Sequence, residues 1–326
     1  MLDAAARSLA FGRRAFTNYV TGRPICVSFE VTHNCNARCK HCHLGPPLKE
    51  ELASPARYAE RCRELRPLIA MVSGGEPMLR PELEEIIRGM RVPNRPPHIV
   101  LTTNGSLLTK ERYERLREAG VSDFIISLDY PDERHDEFRK IPGLFARLDG
   151  FMRSINSNGY GNGGHGVTFS CVVQRGNYRD LVAIAERGRA WNAGVNFNCY
   201  TWLRTQDHGM MVPPAEVPEL RAEIERLREH KRRHGIVFTS EYVLSKMSEF
   251  FEHGGLPNCH AGERFFIVNA DGTLSPCGLI MRQYRDQREM VEEFVKKNDC
   301  TYCYTGIRAN TEKPPYWLVR DALNRL

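Results

Sequence analysis

Between Val31 and His43 the chain reads V-T-H-N-C-N-A-R-C-K-H-C-H, which sets Cys35, Cys39 and Cys42 in a C-x3-C-x2-C loop. Three soft thiolates this close together can ligate three irons of a cubane [4Fe-4S] cluster. The fourth iron is then open and can take a substrate or cofactor. A zinc site, or three unrelated thiols, are the alternatives. Structural zinc normally takes four protein ligands and favours C-x2-C knuckles, although His33, His41 and His43 keep that option formally open. The loop leaves a short strand in which Ile25, Val27, Phe29 and Val31 alternate with polar or small residues.

The strand-then-helix pattern repeats downstream. Ser54-Pro55 reads as an N-cap and first-turn proline of a helix running to about Leu65. Leu68 to Val72 is a second strand that runs into Gly74-Gly75-Glu76-Pro77, before a helix from about Pro81 to Met90. The glycines let backbone approach a ligand closely, and Pro77 fixes the turn. Alone, G-G-E-P is a surface turn; at a strand end one unit after the cysteine loop it reads as a site. His98 to Thr103 is a third strand ending in Thr102-Thr103-Asn104-Gly105, and Thr109 caps a helix that stops at Gly120. Phe124 to Leu128 is a fourth strand, ending Ser127-Leu128-Asp129; Val167 to Val173 is a fifth and Val195 to Tyr200 a sixth. Asn177 is expected to cap a helix from Tyr178 to Ala190, with Asp180 approximating a capping box. In β/α barrels the C-terminal strand ends carry the chemistry, so these polar ends are candidates for one mouth. Helix capping and turn formation are their other possible roles.

The cysteine loop followed by S73-G-G-E-P77 closely resembles the radical S-adenosylmethionine (SAM) enzymes. The resemblance covers about residues 24–205. It implies an α/β fold, a partial (β/α)6 TIM-like barrel, in which Cys35, Cys39 and Cys42 hold a [4Fe-4S] cluster. In that superfamily the open iron is chelated by the amino and carboxylate groups of SAM. One electron from the reduced cluster then cleaves SAM to methionine and a 5′-deoxyadenosyl radical, which abstracts a substrate hydrogen. The same resemblance implies that Glu76, behind Gly74 and Gly75, receives the SAM ammonium and that His41 borders the adenine. Thr103, Asn104 and Ser127 would lie where the ribose and carboxylate of SAM bind.

Composition limits the alternatives. Of 326 residues 41% are hydrophobic and 26% charged, as in an ordinary globular protein. A net charge of +6, with arginines interspersed among glutamates, gives no nucleic-acid footprint. No apolar run reaches the roughly 18 residues needed to span a membrane, and no apolar signal core opens the chain. The 11 cysteines therefore point to metal chemistry in a reducing, cytoplasmic compartment rather than to disulfides, and an exposed [4Fe-4S] cluster would suggest an anaerobic setting. Residues 1–23 are expected as an N-terminal helix with Leu2, Ala5, Leu9 and Phe16 on one face. It would pack on the barrel, or else dock as a basic amphipathic helix on a membrane surface. Residues 24–235 would form the barrel and 236–326 a small C-terminal domain.

Residues 130–166 are the least regular stretch, with a Gly/Asn-rich run from 156 to 166 expected to be a flexible connection. After the sixth strand, Arg204, Asp207 and His208 fall within reach of a barrel mouth. A charged helix from about Glu219 to His234 reads as a solvated face, with His230 and His234 exposed. Cys259 and Cys277 then flank a hairpin signalled by Asp271-Gly272, and Cys300 and Cys303 form a C-x2-C pair. Four cysteines also suit zinc. Their C-x-A-G, D-G-x-x-x-P-C, C-x2-C layout is similar to the twitch domain, the shortened relative of the SPASM domain. That resemblance implies that Cys259, Cys277, Cys300 and Cys303 saturate one auxiliary [4Fe-4S] cluster, with no ligands left for a second. Cys26, Cys171 and Cys199, on strands, are expected as buried thiols.

By resemblance, twitch-containing enzymes oxidise a small-molecule alcohol, with the auxiliary cluster as electron acceptor. Asp129, Arg204 and His208 are the candidate catalytic residues for the accompanying proton loss. An external one-electron donor such as a flavodoxin or ferredoxin is implied. A peptide-modifying maturase is the second reading, weakened by the lack of room before residue 24 for a peptide-recognition domain. A non-catalytic iron–sulfur electron carrier is the third, and Glu76 and the polar strand ends speak against it.

Overall fold

The computed structural model describes residues 2–42, 49–93, 95–156, 166–280, 282–314 and 316–317, with side chains from residue 10 onward. His43 and most of the expected connection at 156–166 lie outside them. In chain order the helices and strands are α1 (Leu2–Thr21), β1 (Cys26–Glu30), α2 (Pro55–Leu65), β2 (Ile69–Ser73), α3 (Leu83–Met90), β3 (His98–Thr103), α4 (Lys110–Ala119) and β4 (Asp123–Ser127). There follow α5 (Arg134–Arg139), α6 (Leu144–Asn156), β5 (Val167–Val173), α7 (Leu181–Ala190), β6 (Gly194–Cys199), α8 (Val217–His234) and α9 (Glu241–His253). The C-terminal elements are β7 (Phe265–Val268), β8 (Leu274–Ser275), α10 (Gln287–Glu293) and α11 (Gly306–Thr311). The alternation of strand and helix makes this the expected α/β class.

The chain divides into two compact units that do not follow chain order. The first comprises residues 1–38, 44–125 and 260–298. In it β1 pairs in parallel with β2, and β2 with β3, in the register Cys26↔Ile69↔His98. On its other side β1 pairs in parallel with β7, Cys26 opposite Phe265. Val27, Phe29, Ala70, Val72 and Leu101 are fully buried, as expected of parallel strands covered on both faces. The Asp271-Gly272 turn forms as read: Gly272 has φ 84°, and β8 returns antiparallel to β7. Ser54 and Thr109 cap α2 and α4, accepting from the Arg57 and Arg112 N–H groups. The α1 expectation needs correcting, because Phe16 is 71% exposed. The helix is held instead by buried Asn18, whose Nδ2 donates to the carbonyls of Pro24 (2.7 Å) and Arg66 (2.9 Å).

The second unit comprises residues 39–43, 126–259 and 299–326. β5 and β6 pair in parallel from Thr168↔Gly194 to Val173↔Cys199. The stretch that looked irregular contains α5 and α6, the latter burying Leu144, Leu148, Met152 and Ile155. Asn177 does not cap a helix. Its side chain accepts from Gln174 N–H and donates to the carbonyls of Asp129 and Val172, so residues 178–180 form a 3-10 turn before α7. Helix α8 ends, as read, at left-handed Gly235, but it is not solvated all round: Leu220, Ile224, Leu227 and His230 are buried. No helix among the described residues is long and apolar enough to cross a membrane.

Candidate active site

In the first unit the two motifs of the sequence interlock through backbone. Gly75 N–H donates to Thr32 O (2.8 Å) and Glu76 N–H to Asn34 O (2.9 Å). The approach leaves no room for side chains. A Cβ on Gly74 would stand 2.1 Å from Thr32 O, and one on Gly75 2.2 Å from Asn34 O. Glu76 is fully buried. Its Oε1 accepts from Thr103 Oγ1 (2.7 Å) and Met78 N–H (3.1 Å), and its Oε2 from Asn104 N–H (2.8 Å). Burial raises its pKa, and those three donors oppose the rise. Asn104 Nδ2 in turn donates to Asn36 Oδ1 (2.8 Å), beside Cys35, so the end of β3 is tied to the cysteine loop. Glu50, which sequence reasoning passed over, accepts from His33 N–H (2.7 Å), Asn34 Nδ2 (2.9 Å) and Thr32 Oγ1.

In the second unit Cys39 and Cys42 each face a guanidinium. Arg139 Nη1 lies 3.7 Å from Cys39 Sγ, and Arg204 Nη1 donates to Cys42 Sγ at 3.2 Å. Arg139 is buried and salt-bridged to Asp129 Oδ2 at 2.6 Å; Asp129 Oδ1 accepts from Val172 N–H. Burial alone would raise the Asp129 pKa, but Arg139 holds it below the usual aspartate value. Burial pushes the Cys39 thiol up, with Arg139 opposing. His41 stacks on Phe138 (ring centroids 5.1 Å), and burial drives its pKa down to about 3, so it is neutral. Arg139 and Phe138 escaped sequence reasoning. Their signal was the R-H-D-E-F-R spacing of α5, hidden inside a charged run. Ser127 is half-buried at the end of β4.

Among the proposed catalytic residues, then, Asp129 and Arg204 are engaged at the cysteine loop. His208, in the same unit, stacks on Trp202 (4.4 Å). Both line a cleft of about 390 Å³ with Arg175, Met211, Phe251 and Glu252. Asp207 accepts from Gly209 N–H and shapes the turn that carries His208.

Of the C-terminal cysteines, Cys259, Cys300 and Cys303 belong to the second unit and Cys277, just past β8, to the first. A hydrogen bond with Cys259 lowers the Cys300 thiol pKa. Arg308, fully buried and unforeseen, donates to Cys303 O (2.7 Å), Leu256 O and Pro257 O (both 2.8 Å). The strand thiols Cys26, Cys171 and Cys199 are buried as expected.

The sequence profile of the radical SAM superfamily matches residues 29–187. Residues 29–187 are a radical SAM domain. Among curated relatives, an AdoMet-dependent heme synthase of Oleidesulfovibrio alaskensis is 28% identical over 290 residues, covering 79% of this chain and 71% of the relative. One from Methanosarcina barkeri is 37% identical over 139 residues, 39% of this chain and 38% of the relative. The chain therefore spans well under half the length of that second relative. In fold, Streptococcus suis SuiB bound to its precursor peptide SuiA matches with a TM-score of 0.60 at 12% identity, over 94% of this chain and 70% of SuiB. The expected partial TIM-like α/β fold is the fold of this chain.

The residues of the radical SAM domain fit the cofactors of its superfamily, a [4Fe-4S] cluster and SAM. The three thiols keep the C-x3-C-x2-C spacing. Cationic N–H groups face two of them, and hydrogen bonds to the sulfurs tune such clusters. His41 Nδ1, within the loop between Cys39 and Cys42, is buried without a partner, as is Thr102 Oγ1 near the end of β3.

Proposed function

We propose that this radical SAM enzyme abstracts hydrogen from a small organic molecule, with an auxiliary cluster on Cys259, Cys277, Cys300 and Cys303. When bound, the clusters and SAM supply the reducing electron, the radical that takes the hydrogen and an acceptor for a second electron. Cys35, Cys39 and Cys42 hold the first cluster. Glu76 would receive the SAM ammonium on lone pairs left over from its three present donors, and neutral His41 would border the adenine. Arg139 and Arg204 offset the negative charge of the thiolates, and Asp129 fixes Arg139. The observation that carries this reading is Glu76: a buried carboxylate bonded to the end of β3 and seated on the cysteine loop is machinery that an electron carrier does not need. The match to AdoMet-dependent heme synthase supports a small-molecule substrate. Oxidation next to a hydroxyl is the net reaction this reading takes.

The test is anaerobic incubation of the reconstituted, reduced protein with SAM. Formation of 5′-deoxyadenosine that disappears in Cys39→Ala is the expected result. Deuterium carried from a labelled alcohol into that product identifies the abstraction. Absence of 5′-deoxyadenosine from protein with full iron content overturns the proposal.

A further inference from the structure

Helices α7 and α8 carry a second cluster of ligating side chains, away in sequence from every cysteine. His230 and His234, one helical turn apart on α8, share a face. Their rings lie 4.6 Å apart. Glu186 comes from α7. His230 Nε2 stands 2.7 Å from Glu186 Oε1, and His234 Nε2 stands 4.0 Å from the same oxygen. One ligand atom from each of the three residues falls within 4.8 Å of the others. Ligands 2.0–2.1 Å from a tetrahedral ion are separated by about 3.3 Å, a value between the two distances observed. Closing on an ion would need shifts of less than about 1 Å.

The surroundings suit a metal. Arg189 Nε donates to the other carboxylate oxygen, Glu186 Oε2, at 2.7 Å and holds it in orientation, as the partners of metal-bound carboxylates do. His230 is buried, whereas His234 is exposed and leaves a path from solvent. We propose that Glu186, His230 and His234 bind one divalent ion of borderline softness, Zn²⁺ or its Co²⁺ and Ni²⁺ neighbours. The set of two imidazoles and a carboxylate suits those ions better than Mg²⁺ or Ca²⁺. The ion would clamp α8 to α7 and keep one coordination position open to water. A plain His230–Glu186 hydrogen bond is the competing account, and the two differ at His234, which a hydrogen bond does not use.

The experiment is calorimetric titration of Zn²⁺ into the full, cluster-reconstituted chain near neutral pH, for wild type, His234→Ala and Glu186→Gln. Zinc taken up by leftover cysteines is common to all three and cancels. The expected result is one equivalent in wild type that either variant binds about tenfold or more weakly. Saturating zinc should also raise the melting temperature of wild type more than that of His234→Ala. Exposed His234 can be truncated without disturbing the core, so a folded variant is assured. Equal zinc stoichiometry and affinity in wild type and His234→Ala overturns the site.

Discussion

Asp129 stays ionised in a fully buried position because Arg139 lies 2.6 Å away. Breaking such a pair strands a charge. Arg139→Met should therefore destabilise the protein by about 3–5 kcal/mol in chemical denaturation. Asp129→Asn combined with Arg139→Met should recover part of that loss, and a double mutant no better than the single one would show that the two do not act as a pair. His135 gives a pH signature. Burial holds its pKa at about 4, against 6.5 in the unfolded chain. The folded state therefore binds fewer protons, and the contribution is complete above pH 6.5 and drains as the pH falls toward 4. His135→Gln should flatten stability across that window, and an unchanged acid limb would contradict the assignment. At this scale the sequence singles out residues that belong to a motif: Cys35, Cys39, Cys42 and Glu76. It hid Arg139, Glu50 and Arg308, whose spacing from their partners carries no signature.

Elements were legible where a local rule sets their ends. β3, β5 and α2 begin and end as read, because alternation, a Ser54 cap and flanking turns mark them. Asn177 misled because a residue that favours caps is also one that bonds to nearby backbone, and Gln174, Asp129 and Val172 won it. The pairing of β7 with β1 was invisible, since nothing local in Phe265–Val268 names a partner. Among the legible features, the Gly74-Gly75 turn yields a sharp prediction. In Gly75→Ala the new methyl would collide with Asn34 O, so the turn or the cysteine loop must move. Iron bound by the first cluster site should fall, with α-helical content unchanged by circular dichroism. Full iron content in that variant would mean that the loop tolerates the shift.

For the molecule as a whole, seven cysteines in two sets predict about eight irons per chain as two cubanes. The Cys300→Ala, Cys303→Ala double mutant should hold about four; a wild-type count near four, unaltered in that mutant, would remove the second cluster. The α/β class was legible from the strand–helix repeat, but not the division into two units that each gather distant stretches of chain. That division bears on how the protein is made. In the first unit Cys26 is registered against Phe265. On a ribosome adding about 5–20 residues per second, the edge of β1 waits about 12–48 s for its partner. During that interval it is an unpaired strand that any other nascent chain could claim. Crowded polysomes and slow codons between those positions would lengthen the exposure, so the yield of folded protein should depend on translation speed and on chaperones that shield strand edges.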